Sequence, residues 1–247
     1  MIKFHKKAKM NRRRTKINPF SIDQTPEARL LLEWSVHNSL LMTTALGLSV
    51  VRKELIWVPV FNLLSLLLFV LKSRKNQIPL WRLANGITGS RWIIIALTVL
   101  NIQFISQLMA FILLGLTLLL DGLDGWVARY RKEANATGAL FDKTTDAFYV
   151  LMLSMLLVFQ YSLNHWLLGI GLLPYCYELL LYSLNWQDLK ISPNPVGRYI
   201  AFFLFVALLT PFILPVCFYQ TFIILASILV TASFGISFYM KWQASRK

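Results

Sequence analysis

The sequence predicts an all-α, polytopic integral membrane helical bundle, and three observations carry that expectation. Hydrophobic residues make up 57% of 247 and the mean hydropathy is +0.58, far too apolar for a soluble domain of this length. The apolar residues gather into eight runs, at about 34–51, 55–71, 84–100, 104–121, 146–161, 166–184, 199–215 and 219–240, each close to the length that spans a hydrocarbon core. Lys and Arg cluster between alternate runs rather than evenly along the chain, the pattern of a helical membrane protein with one basic side.

Taken in order, the chain opens with a basic arm, residues 1–29, containing KFHKKAKMNRRRTK. The arm is not expected to be a cleavable signal, because the basic region is nearly thirty residues long and no small-residue cleavage site follows the first apolar run. Its charge suits membrane lipids with anionic head groups. No nucleic acid is expected as a partner, since no stacking aromatics or binding fold accompany the arm. Residues 30–80 supply two apolar helices, the first interrupted by His37, Asn38, Thr43 and Thr44. They carry no acid-rich or nucleophile-bearing constellation, so no chemistry is expected of them.

The third run opens with LANGITGSRW, the fourth ends in an acidic pair, and the fifth begins with one. Pro193 and Pro195 in SPNPVGRYIAFF mark a loop that ends where the seventh helix starts. Cys176 and Cys217 fall inside helices without metal-like spacing and read as core fillers. His5, His37 and His165 are scattered, and none is assigned a catalytic role.

With the N-terminus cytoplasmic, basic residues fall in the arm, at 72–82, 129–143, 190–198 and 241–247, while the opposite side receives Arg52 and Lys53. Positive charge marks the cytoplasmic face. Both termini and the acidic pairs are therefore expected there, in what is most simply a bacterial inner membrane.

The chemistry is concentrated in DGLDGWVARYRKEANATGALFDKTTD, residues 121–146. Asp121 and Asp124 are three apart, and Ala128 follows four later, so the three share a helical face. Asp142 and Asp146 share a face of the next helix, and if the two helices pack antiparallel their carboxylates converge. Acids at a membrane edge are costly and mark function by default. Four hard oxygen donors with no Cys or His nearby suit Mg²⁺ or Mn²⁺, and two such ions are a known device for clamping a diphosphate during displacement at phosphorus. Gly125 and Ala128 leave space for a ligand on that face, and Arg129 offers a fork that matches phosphate oxygens.

At these residues the chain resembles the CDP-alcohol phosphotransferase family, filling every fixed position of D-x2-D-G-x2-A-R-x8-G-x3-D-x3-D between Asp121 and Asp146. The resemblance covers roughly residues 80–240. It implies a six-helix membrane core, often homodimeric, with two extra N-terminal helices here. That gives three parts: the arm 1–29, the added helices 30–80, and a catalytic membrane domain 81–247. The resemblance further implies that Asp121 and Asp142 contact both metal ions and Asp124 one. Asp146 would contact one ion and also serve as general base. Asn85, Thr88 and Arg91 resemble the family's N-x-x-T-x-x-R element, whose polar residues help bind the CDP part of the donor. Asn85, Thr88, Gly125, Ala128, Arg129, Asn135 and Gly138 would form that pocket.

The acceptor is less legible. Relatives acting on phosphorylated acceptors often carry Arg in the helix before the SPNPVGR loop, whereas this chain has PYCYELLLYSLNWQD. Lys143, Glu178, Lys190 and Arg198 are the acceptor candidates. Glu178 would meet acceptor hydroxyls or an ammonium, or pair with one of the bases.

The expected reaction is transfer of a phosphatidyl group from CDP-diacylglycerol to the hydroxyl of a small alcohol, with release of CMP. Transfer of a phospho-alcohol from a CDP-alcohol to a lipid hydroxyl is the alternative within the same family. A Mg²⁺-dependent membrane prenyltransferase and a cation transporter are the alternatives of other classes. Prenyltransferase Asp motifs usually lie far apart in sequence, and a transporter needs mid-helix acids on several segments, whereas these acids cluster at one edge.

Overall fold

Each of the eight apolar runs folds as a helix. The computed structural model describes residues 26–76, 83–131, 135–187 and 195–246. Its helices are α1 (Pro26–Arg52), α2 (Trp57–Lys75), α3 (Leu83–Leu100), α4 (Gln107–Tyr130), α5 (Ala136–Gln160), α6 (Trp166–Ser183), α7 (Pro195–Leu209) and α8 (Val216–Ser245). Short 3-10 turns at Ile102–Phe104 and Thr210–Phe212 complete the regular structure. Most of the basic arm and the acceptor candidate Lys190 lie outside the described residues.

Local chemistry sets the helix ends. Ser106 caps α4, its Oγ accepting from the Met109 amide at 3.2 Å, and Asn135 caps α5, its Oδ1 accepting from the Gly138 amide at 2.9 Å. Such caps satisfy amides that the first helical turn leaves without partners. Pro195 opens α7, where a missing N–H costs nothing. Lys53, Ser162 and Asn185 follow α1, α5 and α6 with φ of 56°, 53° and 55°, the left-handed turn that commonly stops a helix.

Four helices, α2, α4, α6 and α8, are long and apolar enough to cross a membrane, and α3 and α7 are shorter apolar helices. The outward faces agree with that setting. Leu108, Ile112, Leu116, Leu119 and Leu123 of α4 are all exposed on the bundle surface, a stripe that lipid solvates and water does not. Cys176 and Cys217 are also exposed, which corrects their reading as core fillers. In a bilayer the outside of the bundle is as apolar as its core, so an apolar neighbourhood in sequence does not imply burial.

The core is organised around α5. Every residue from Ala147 to Val158 is buried, so this stretch is surrounded on all sides by protein. It packs on α3, α6 and α7, while α3 also packs along α4, α1 pairs with α2 and lies on α6, and α7 pairs with α8. Trp92 of α3 stacks on Phe148 at 5.4 Å, and Tyr149 meets the edge of Phe205 of α7 at 5.4 Å. The first turn of α5 shares one end of the bundle with the start of α1, where Thr137 donates to Glu27 at 2.9 Å. The Lys241 ammonium donates to the Trp186 carbonyl at 2.7 Å, tying the end of α8 to the end of α6.

The closest approach in the core requires a glycine. A Cβ at Gly171 of α6 would stand 3.0 Å from the Leu151 Cα and 3.1 Å from the Ser154 Cβ of α5. Backbone that close cannot yield, and membrane helix pairs use small residues for such approaches. Gly171→Leu should lower the thermal stability of detergent-purified protein by about 1–3 kcal/mol or more, the usual cost of overpacking. Gly169→Ala, one turn-fraction away where an added Cβ meets nothing within 4 Å, should leave it unchanged or slightly improved. Equal melting temperatures for the two variants would show that α5 and α6 are not in this contact.

Candidate active site

Three helices supply the site. On α3, Asn85, Thr88 and Arg91 recur every third residue and share a face. On α4, the helix continues past the apolar run through Asp121, Asp124, Gly125 and Ala128 to Tyr130. On α5, the cap residue Asn135 precedes Gly138, Asp142 and Asp146. The four carboxylates do converge, and α3, which packs extensively along both α4 and α5, joins them.

The joint is Arg91. Its Nη1 lies 2.9 Å from Asp121 Oδ1, 3.1 Å from Asp124 Oδ2 and 2.7 Å from Asp142 Oδ1, while Nη2 lies 2.6 Å from Asp146 Oδ1. The Arg91 side chain is 2% exposed, against 37%, 39% and 30% for Asp121, Asp142 and Asp146. Asp124 is buried and also accepts a hydrogen bond from Thr88 Oγ1 at 2.9 Å. The guanidinium therefore sits beneath the cluster while three carboxylates open outward. One formal positive charge faces four negative ones, so the cluster retains a strong attraction for further cations.

The donor set fits divalent metal. Asp121, Asp142 and Asp146 each offer a carboxylate oxygen within 4.8 Å of the others, and hard oxygen donors suit Mg²⁺ or Mn²⁺.

Beside the carboxylates lies a cavity of about 200 Å³. All seven residues expected to form a nucleotide pocket line it: Asn85, Thr88, Gly125, Ala128, Arg129, Asn135 and Gly138, with Asp124 and Asp142 at its metal-facing side. Gly138 is held tightly there, since a Cβ would come within 2.9 Å of Asn135 Oδ1 and 3.1 Å of Asn85 Oδ1. At Gly125 an added Cβ would meet the Arg129 guanidinium at 3.4 Å, so that side chain folds back over the glycine.

None of the acceptor candidates among the described residues lines this cavity. Lys143 and Glu178 form an ion pair and line a smaller cleft with Ser35, Asn38 and Ser39 of α1. Glu178 also accepts from Ser35 Oγ at 3.3 Å. Arg198 is exposed in the first turn of α7. Tyr175 is buried in α6 and Tyr177 packs its ring on Phe234 at 5.1 Å.

Sequence reasoning read Arg91 as part of the α3 polar element with Asn85 and Thr88 and overlooked it as the partner of the acids. It is absent from the cavity lining. The signal was available: an Arg inside an apolar helix must find carboxylates, because an unpaired buried charge is prohibitively costly. The contacts of Glu27 and Ser35 with the rest of the bundle had no local signal, since their partners lie more than a hundred residues away.

The family model for CDP-alcohol phosphatidyltransferases matches residues 81–233, starting just before α3 and leaving α1 and α2 ahead of the match. Among curated proteins and among solved structures nothing matches the chain significantly. The matched segment contains all three helices that build the carboxylate cluster and its neighbouring cavity, and it covers more than half of the chain. This chain belongs to the CDP-alcohol phosphatidyltransferase family and is an integral membrane transferase of phospholipid synthesis, moving a phosphate-linked group from a CDP-linked donor to an alcohol.

Proposed function

We propose that the enzyme transfers the phosphatidyl group of CDP-diacylglycerol to the hydroxyl of a small alcohol and releases CMP. The observation that carries this reading is the junction of the outward-facing carboxylates with a cavity lined by the seven nucleotide-pocket residues. In it the nucleoside occupies the cavity, and its diphosphate lies over Asp121, Asp124, Asp142 and Asp146. Those four residues hold two Mg²⁺ or Mn²⁺ ions, which supply Lewis-acid neutralisation of the diphosphate when bound. Family membership sets aside the prenyltransferase and transporter readings.

The chain's own groups do the rest. Arg129 and Asn135 line the cavity mouth and orient the donor, and Gly125 and Ala128 leave room for it. Asp146 is partly exposed at the cluster and takes the proton of the acceptor hydroxyl through a carboxylate oxygen. The acceptor oxygen forms its bond to the phosphorus that carries diacylglycerol, the bond from that phosphorus to the CMP oxygen breaks, and CMP departs with the electron pair. A carboxylate is a weak base for an alcohol, so positioning and electrostatics carry much of the acceleration.

The basic groups at the site's end of the bundle, including Lys72, Arg74 and Lys75 of α2, Arg129 of α4 and Lys241 of α8, support a cytoplasmic site reached by a soluble acceptor. Lys143, Glu178, Lys190 and Arg198 remain the acceptor candidates within this reading, with the Lys143–Glu178 pair opening to admit the alcohol.

Activity with CDP-diacylglycerol should vanish in EDTA and return with Mg²⁺ or Mn²⁺, measured as CMP release across a panel of alcohol acceptors. Full turnover in metal-free buffer, or release of CMP only from CDP-alcohols, would overturn the proposal. Asp146→Asn should lower turnover by about 10²–10⁴-fold, the range for a lost general base, while retaining donor binding. Asp121→Asn should weaken both, and normal turnover in Asp146→Asn would remove the general-base assignment.

Gly125→Leu should abolish binding of the cytidine nucleotide with little cost to folding, because the new side chain displaces only the flexible Arg129 guanidinium. Binding of CDP measured by titration calorimetry, together with the melting temperature, checks both halves. Parent-like affinity in a folded variant would show that this face does not receive the nucleotide.

A further inference from the structure

Arg91 occupies the hub of the carboxylate cluster rather than its edge. A single nitrogen, Nη1, lies within 3.1 Å of oxygens from Asp121, Asp124 and Asp142. Magnesium binds its oxygens at about 2.0–2.1 Å. An ion held by the same oxygens and the Nη1 nitrogen would be pressed into direct contact, both positive and with no room for water between them. Nη1 in this position and a hub-bound ion are mutually exclusive. The guanidinium also has an unused donor: Nε is buried and makes no hydrogen bond among the described residues. Its present seat is therefore held by the carboxylates, not by the full set of five donors that Arg offers.

We propose that Arg91 is an exchangeable internal counter-ion: it holds the four aspartates of α4 and α5 together until metal arrives, and the metal displaces it from the hub. The inference rests on the proposed metal role of the four aspartates. Four carboxylates confined near a membrane edge repel one another strongly, and α3, which packs extensively against both acidic helices, delivers the neutralising charge. Metal loading replaces that cation by ions of higher charge and releases the guanidinium. The metal affinity of the parent enzyme is accordingly lowered by the population in which Arg91 fills the hub. Arg91 is a positioning residue in this scheme, acting on the reaction through the aspartates.

The test compares the full-length parent, Arg91→Met and Arg91→Lys in detergent, with Mn²⁺ as the probe. Free Mn²⁺ is followed by electron paramagnetic resonance, and melting temperature is recorded in EDTA and in saturating Mn²⁺. Arg91→Met should bind Mn²⁺ about tenfold or more tightly than the parent, because nothing need be displaced. Its melting temperature in EDTA should fall by roughly 10 °C, the scale of losing one partner of a buried charge cluster, and Mn²⁺ should restore most of the loss. Arg91→Lys, with a charge but no fork, should fall between the two. Mn²⁺ affinity equal to or weaker than the parent's would overturn the exchange. So would an equal loss of melting temperature with and without Mn²⁺, since Arg91 would then keep the same contacts in both states. If Arg91→Met folds only when Mn²⁺ is present, the proposal is supported; if it folds in neither condition, Arg91→Lys decides, tighter Mn²⁺ binding supporting the exchange and equal or weaker binding overturning it. A parent protein that binds no Mn²⁺ and is indifferent to EDTA would overturn the metal reading itself, an outcome distinct from a parent that binds Mn²⁺ as tightly as its variants.

Discussion

Arg91 brings one guanidinium within ion-pair distance of four carboxylates from two helices, and the packing of the helices around it follows from what that contact demands. A charge buried this deeply must be matched at short range, so α3 has to lie between α4 and α5 with its polar face turned inward. The same constraint fixes the register: Asn85, Thr88 and Arg91 sit along one stripe of α3. Thr88 and Arg91 both reach Asp124, while Thr88 and Asn85 face the cavity. The excess of negative charge that remains favours the approach of further cations.

Around this polar end the bundle has two apolar environments, and α5 divides them. Its upper half is enclosed by protein through twelve consecutive residues, from Ala147 to Val158, and Gly171 lets α6 come into backbone contact with it. The other helices turn large apolar side chains outward to lipid. A rigid, fully enclosed α5 anchors Asp142 and Asp146 on a stiff element, while α4 carries Asp121 and Asp124 on a helix with an extensive outer face. Carboxylates carried on helices are placed more reproducibly than on loops.

The N-terminal hairpin is more closely joined to this machinery than its sequence suggests. Glu27 of α1 accepts from the buried Thr137, which lies between the cap Asn135 and Gly138, and Ser35 donates to Glu178 beside Lys143. Trp34 stacks on Phe69 at 4.2 Å and donates to Ser65 at 3.0 Å, so α1 and α2 form a packed pair. Among the described residues the hairpin contributes no carboxylate to the cluster. It braces the first turn of α5 instead, where Gly138 lines the cavity beside the carboxylates.

The sequence by itself determined the membrane class, the eight helices and the identity of the four acids. Each of these is local: hydrophobic runs have a length, caps and prolines mark ends, and a three- or four-residue spacing defines a helical face whatever the tertiary structure. The family resemblance, and not helix geometry, named the seven residues that line the cavity beside the acids. Only the tertiary structure decided which apolar helix is enclosed and which face lipid, since burial in protein and burial in lipid favour the same side chains and leave the same composition. It alone placed Cys176 and Cys217 on the outside. It alone paired Lys143 with Glu178 and made Arg91 the hub of the carboxylates, because the choice of partner for a buried charge depends on which helices become neighbours, and spacing along one helix says nothing about that.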